Sequence, residues 1–172
     1  MMKEVNKEWF KQDALVIARE LLGKIIEFNG KKGMVVETEA YKSDPGSHAY
    51  KITPRSKIML DSYGKIYVYL VYGMYHCLNI TTNVCEPGAV LIRALEPLEK
   101  TTSLTSGPGK LCKALNITKN LNNTEVNDKL KVYGFKDFSD EKIVISKRIG
   151  LKRGTNLDWR FYIKDNQFVS KK

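Results

Sequence analysis

The sequence predicts an α+β protein, a single compact domain of antiparallel β-structure with flanking helices and a protruding β-hairpin. Three observations carry this. Runs rich in aromatic and β-branched residues are joined by short turn signals, and two segments, near residues 13–22 and 106–115, read as helices. The length, 172 residues of which 42% are hydrophobic, is enough for one core and short for two. No internal repeat and no linker composition divides the chain, so residues 1–172 are expected to form one unit.

In the first helix Ala14, Leu15, Ala18, Leu21 and Leu22 recur at helical spacing, with Asp13 placed to cap and Gly23 to stop it. Residues 24–28 and 33–41 then flank Asn29-Gly30, the strongest short hairpin signal, while Lys31 and Lys32 leave its register open. Residues 42–63, rich in Ser, Pro, Gly and charge, form a connection longer than structural loops usually are, and such loops tend to carry function. Residues 66–72 and 75–81 close around Gly73 and Met74 as a second hairpin, whose tip presents Tyr72 and Met74. A strand over 89–95 is ended by Glu96 and Pro97. The helix at 106–115 opens with Gly107-Pro108-Gly109; the polar, Asn-rich stretch 116–128 reads as a surface excursion; short strands are predicted near 130–133, 142–146 and 159–163.

Lys and Arg number 29 against 19 Asp and Glu, a net charge of +10 and a pI near 9.4. That balance favours a polyanionic partner, nucleic acid ahead of an anionic membrane surface; the blander reading is lysine kept for solubility. The N-terminal residues carry charge rather than an apolar run, and no stretch is long enough to span a bilayer, so a soluble intracellular protein is expected. Cys77, Cys85 and Cys112 are odd in number and irregularly spaced, which argues against a disulfide framework or a zinc knuckle. With only two histidines, His48 and His76, neither a required metal nor another cofactor is expected.

Strand alternation puts Glu37, Glu39 and Tyr41 on one face and Val36, Thr38 and Ala40 on the other. Two carboxylates in an otherwise apolar strand need either an exposed face or a functional pocket. His48 lies just downstream, and the second hairpin offers Tyr67, Tyr69, Tyr72 and Tyr75. A protein that works on a nucleobase must extract it, hold it between aromatic surfaces and fill the gap it leaves, and tyrosines with one histidine suit that task. The competing reading is that the tyrosines pave a sheet core, from which a residue at a hairpin tip such as Tyr72 is excluded. Leu91, Arg93 and Leu95 share a strand face, where an arginine stem can simply cover apolar surface.

The runs Val36-Glu-Thr-Glu-Ala-Tyr41, His48, Tyr67-Val-Tyr-Leu-Val-Tyr-Gly-Met-Tyr75, Cys77, Asn79, Leu91-Ile-Arg-Ala-Leu-Glu-Pro97, Ser106-Gly-Pro-Gly-Lys-Leu-Cys112 and Arg160-Phe-Tyr162 resemble, in order and over most of the chain, the alkyladenine DNA glycosylase family. The resemblance implies a curved antiparallel sheet and a monomeric, monofunctional DNA base-excision repair enzyme. Such an enzyme flips a damaged purine from duplex DNA and hydrolyses its N-glycosidic bond, leaving an abasic site. 3-Methyladenine leads as substrate, with hypoxanthine and ethenoadenine removed by some members. By matching position, Glu39 is implied as the general base that activates water and Arg93 as its partner in holding that water. Tyr41 and His48 would pack on one face of the flipped base and Tyr69 on the other, with Asn79 at the base edge. Tyr72, with Met74 beside it, would enter the DNA. Glu39 beside an arginine is expected to stay ionised at neutral pH, as a water-activating base requires.

Lys110 at a helix start and Arg55 in the long loop are candidates for the DNA backbone, and Lys147, Arg148, Lys152 and Arg153 read as a solvated basic face. The chain departs from the family pattern at Ser56 and at Met59-Leu60. Two rivals stay open: a non-catalytic module binding damaged DNA or RNA through the same surface, and an enzyme acting on free nucleosides or nucleotides.

Overall fold

The computed structural model describes residues 1–82 and 85–172. Helix α1 (Ala14–Glu20) begins where Asp13 accepts a hydrogen bond from the Leu15 amide, and it buries Ala14, Ile17 and Ala18. Strands β1 (Ile25–Phe28) and β2 (Lys31–Tyr41) meet at a two-residue turn in which Asn29 and Gly30 both have positive φ, 52° and 72°. That geometry matches the twist of the flanking strands and settles the register: Phe28 pairs with Lys31, so both lysines belong to β2.

Residues 42–63 hold a 3-10 turn (His48–Tyr50) and the short helix α2 (Ile58–Asp61). Ser47 caps the turn through the Ala49 amide, and the fully buried Ser56 accepts the Thr53 amide at 2.9 Å, which gives the departure at Ser56 a local use. Strands β3 (Ile66–Val71) and β4 (Tyr75–Thr81) form the second hairpin, with Val71 opposite Tyr75 as the last pair. Its tip is therefore the three residues 72–74 rather than a turn centred on Gly73 and Met74. Tyr72 has left the strand with φ +52° and Gly73 follows at +65°.

Strand β5 (Ala89–Pro97) runs two residues beyond its expected end, because Glu96 and Pro97 still lie opposite Met34 and Gly33. Helix α3 (Pro108–Leu115) follows, then β6 (Lys131–Tyr133), β7 (Ile143–Ser146) and β8 (Arg160–Ile163). The antiparallel sheet has the order β3-β4-β5-β2-β1-β6, and β8 joins it by pairing with both β2 and β7. The eleven-residue β2 is the axis of the molecule: β5 runs along one side, and β1 and then β8 share the other.

One core fills the inner side. Val36 and Ala40 of β2, Val90, Ile92 and Ala94 of β5, and Ile17, Ala18 and Leu21 of the α1 region are buried together, each large aliphatic contributing roughly 1.5–3 kcal/mol. Thr38 joins this face by donating its hydroxyl to the Ala18 carbonyl at 2.6 Å. Helix α3 adds Leu111, Cys112 and Leu115. Its Gly109 lies so close to β4 that a Cβ there would sit 3.1 Å from Tyr75.

The segment at 116–128 does more than run over the surface. The Ile66 amide donates to the Thr124 carbonyl, the Asn123 amide to the Ile66 carbonyl and the Val126 amide to the Gly64 carbonyl, each at 2.8 Å. Asn122 Oδ1 accepts the Val68 amide at 2.9 Å. Ile117, Leu121 and Val126 are buried beneath. Its backbone and the Asn122 side chain thus satisfy the outer edge of β3, which would otherwise offer unpaired amides to another chain. Among the described residues no helix is long and apolar enough to cross a membrane.

Candidate active site

The outer face of β2 is where the two carboxylates lie, and neither is exposed: Glu37 and Glu39 are both at 0%. Of the two readings left open for this acidic strand, an exposed face is ruled out. Tyr41 Oη donates to Glu39 Oε2 at 2.7 Å, the Ile149 amide donates to Oε1 at 2.7 Å, and Arg93 Nη1 lies 3.4 Å from Oε1. Burial raises the Glu39 carboxyl above the usual carboxylate range, outweighing the opposing pull of Arg93, the Tyr41 hydroxyl and the Ile149 amide; Glu37 nearby adds to the rise. A carboxylate so raised is a stronger base once ionised.

Arg93 reaches Glu39 because the β2–β5 ladder is irregular. Val35 pairs with Leu95, Glu37 with Ala94 and Thr38 with Ile92, so the register shifts on both sides of Glu37. Arg93 falls opposite no single residue and sets Nε 3.2 Å from Glu37 Oε1 while Nη1 faces Glu39. It is 8% exposed, so more than its stem is buried.

The loop and the second hairpin supply aromatic walls. His48 and Tyr69 lie edge to face with ring centroids 4.4 Å apart, and Tyr69 packs 5.3 Å from Tyr67. His48 Nδ1 is 3.0 Å from Tyr67 Oη. Tyr41 and Tyr69 both pack on the small cluster of Ala49, Met59, Tyr67 and Ala89. Burial raises both phenols and keeps them neutral. It lowers His48 below its usual value, helped by the positive Arg55, so the ring is neutral at physiological pH. Cys77, opposite Tyr69 across the hairpin, has its thiol pushed up to about 11 by burial. Asn79, 3% exposed, lies opposite both Tyr67 and Leu91, its Nδ2 donating to the Tyr67 carbonyl at 3.2 Å.

Tyr72 and Met74 stand at the far end of the same hairpin, 85% and 66% exposed. The exposed Arg55 borders a cleft of about 670 Å³ with Lys57, Lys65, Tyr67 and Lys119. Lys110, in the first turn of α3, borders a second of about 890 Å³ with Met74, Tyr75, His76 and Lys113. The basic side chains thus flank the hairpin on two sides. Among the described residues no group of three or more His, Cys, Asp or Glu is arranged to hold a metal.

This geometry stands beside what the chain is similar to. The family description of methylpurine-DNA glycosylase (MPG) matches residues 8–167. The chain belongs to the methylpurine-DNA glycosylase family. Relatives named "putative 3-methyladenine DNA glycosylase" include the following three. The Clostridium novyi protein is 40% identical over 202 residues, covering 99% of this chain and all of the relative. The Sodalis glossinidius protein is 42% identical over 161 residues, 91% of this chain and 95% of its own. The Ehrlichia chaffeensis protein is 41% identical over 175 residues, 96% of each.

The sequence motifs pointed to Glu39, Tyr41, His48, Tyr69, Asn79 and Arg93, and the fold puts Tyr41 and Arg93 on Glu39, His48 against Tyr69, and Asn79 opposite Tyr67 and Leu91. What they did not single out are the groups that arrive from the end of the chain. Arg148, expected on a solvated basic face, is buried: its guanidinium lies 4.7 Å from the Tyr41 ring centroid and 5.1 Å from that of Trp159, and it donates to the Ala40 carbonyl at 3.0 Å and pairs with Asp44. Lys147, Lys152 and Arg153 are exposed as expected. The Ile149 amide on Glu39 and Ser170 on Glu37 had no sequence signal beyond proximity to basic residues.

Proposed function

We propose that the protein is a monomeric, monofunctional 3-methyladenine DNA glycosylase acting on damaged duplex DNA, with Glu39 as its general base. The observation that carries this reading is the buried Glu39 carboxylate, held by Arg93, Tyr41 and the Ile149 amide beside the rings of Tyr41, His48 and Tyr69. A DNA glycosylase is a hydrolase of N-glycosyl bonds, so the reaction needs water at C1′ and a group to take its proton. Each carboxylate oxygen keeps accepting capacity beyond the bonds it makes. As the water oxygen bonds to C1′, its proton passes to Glu39, and the electron pair of the N-glycosidic bond moves onto the base. A base alkylated at N3 carries positive charge in the nucleotide and departs neutral, so no acid is required at the leaving group.

Positive charge also suits the pocket, because the electron-rich faces of Tyr41 and Tyr69 attract a cationic ring. His48 is neutral and adds no repulsion. Asn79 borders the base edge. Tyr72 and Met74 fill the place the base vacates, and two or three stacking contacts of about 1–3 kcal/mol each offset the cost of unstacking. Arg55 and Lys110 hold the backbone on either side of the hairpin.

The test is base release from end-labelled duplexes containing hypoxanthine or ethenoadenine and from alkylated DNA, without metal, by the parent and by Glu39→Gln. Release of 3-methyladenine by the parent, with Glu39→Gln slowed at least a hundredfold while still binding, is the expected result. Tight salt-sensitive binding with no release from any lesion would overturn it in favour of a recognition module.

A further inference from the structure

Glu37 takes no part in the chemistry above, yet it is the more heavily bonded of the two buried carboxylates. Arg93 Nε and Arg160 Nε donate to its Oε1 at 3.2 and 2.8 Å. From the far end of the chain, the Ser170 amide donates to Oε2 at 2.7 Å and the Ser170 hydroxyl to Oε1 at 2.9 Å. The segment around Ser170 is secured twice more: Val169 is buried in the core, and Arg160 donates to the Lys171 carbonyl. A carboxylate at 0% exposure with four donors is not arranged to collect a proton from solvent or substrate. It is arranged to hold its donors still.

What it holds is Arg93. A guanidinium is a rigid planar fork, so fixing Nε fixes where the terminal nitrogens point. With Nε on Glu37, Nη1 is left facing Glu39. We propose that Glu37 and Ser170 are positioning residues: the Ser170 segment locks the Glu37 carboxylate, which aims Arg93 at Glu39, so that docking of this segment is a condition of an efficient hydrolytic step. The inference rests on the reading of Glu39 and Arg93 given above.

Burial raises Glu39 most; the groups that act on it besides are Arg93 from β5, Tyr41 and Glu37 from its own strand, and the Ile149 amide, while Tyr69 and Cys77 face it from the hairpin as neutral groups. Of these only Arg93 is cationic, and it opposes the rise in the Glu39 pKa. A misdirected Arg93 therefore moves the acidic limb of the rate profile to higher pH.

The experiment compares parent, Ser170→Ala, Ser170→Thr, Glu37→Gln and Glu39→Gln in single-turnover release from alkylated duplex across about pH 5–9, with duplex affinity measured separately. Ser170→Ala is expected to slow release about tenfold to a hundredfold, the size of an ångström-scale misplacement, to shift the acidic limb upward, and to leave affinity unchanged. Ser170→Thr, which keeps the hydroxyl, restores both rate and limb, and Glu37→Gln exceeds Ser170→Ala in the loss of rate, while its limb moves up less because removing the Glu37 charge by itself lowers the Glu39 carboxyl. A Ser170→Ala protein that loses thermal stability but keeps the parent's limb and rate overturns the positioning role while the Glu39 reading stands. Release that survives in Glu39→Gln overturns both.

Discussion

At the scale of single residues, the site depends on how burial and charge oppose each other on Glu39. Burial disfavours the ionised form; Arg93, Tyr41 and Ile149 restore part of it. The resulting carboxyl titrates above the ordinary glutamate value of about 4.3, and base catalysis requires the deprotonated form. The rate of base release is therefore expected to fall as pH drops through a midpoint higher than that value, with an acidic limb that Glu39→Gln lacks. A limb at or below the ordinary value would mean that Arg93 outweighs burial. His48 behaves in the opposite sense. Its folded pKa is depressed by burial and Arg55, so the stability it supports is fully present above about pH 6.5 and is lost as pH falls toward the folded value. Thermal melts of parent and His48→Gln should converge as pH is lowered through that window.

At the scale of elements, the second hairpin carries a conflict between stability and use. Tyr72 occupies the left-handed region at φ +52°, where a side chain costs roughly 1–2 kcal/mol, and it is 85% exposed, so packing does not compensate. Tyr72→Gly should unfold at higher denaturant than Tyr72→Ala, by about 1 kcal/mol. Both variants should lose base release on a stable duplex, with partial sparing where a lesion already weakens pairing. Equal loss on every lesion would point away from a wedge. The edge of β3 makes a separate prediction. Asn122→Ala removes the acceptor of the buried Val68 amide and is expected to cost about 1–3 kcal/mol in urea unfolding at unchanged slope, leaving the chemical step intact. The sequence showed both hairpins, both longer helices and every named strand to within a few residues, because turn glycines and strand alternation are local signals. It missed the role of 116–128, since an asparagine that caps a strand edge and one that faces solvent are the same letter.

At the scale of the whole molecule, the excess of ten positive charges acts through a few placed groups. Lys31 and Lys42 are spent on the Ala114 carbonyl and on Asp13, and Arg93, Arg148 and Arg160 are buried in networks. Arg55 and Lys110 remain exposed on either side of the hairpin. Replacing either with Ala should weaken duplex binding alike for damaged and undamaged DNA and reduce the salt slope by about one. A change confined to damaged duplex would assign that residue to the pocket instead. By itself the sequence determined the fold class and the hairpins, because periodicity and turn chemistry lie within short stretches of chain, and its ordered motifs carried the resemblance that singled out Glu39, Tyr41, His48, Tyr69, Asn79 and Arg93 as candidates. Only the tertiary structure decided that both acidic residues of β2 are buried, that Arg148 backs Tyr41, and that Ile149 and Ser170 close on Glu39 and Glu37. Those contacts join residues 107 to 133 positions apart, and no local pattern encodes which distant donor will meet a buried carboxylate that folding has removed from water.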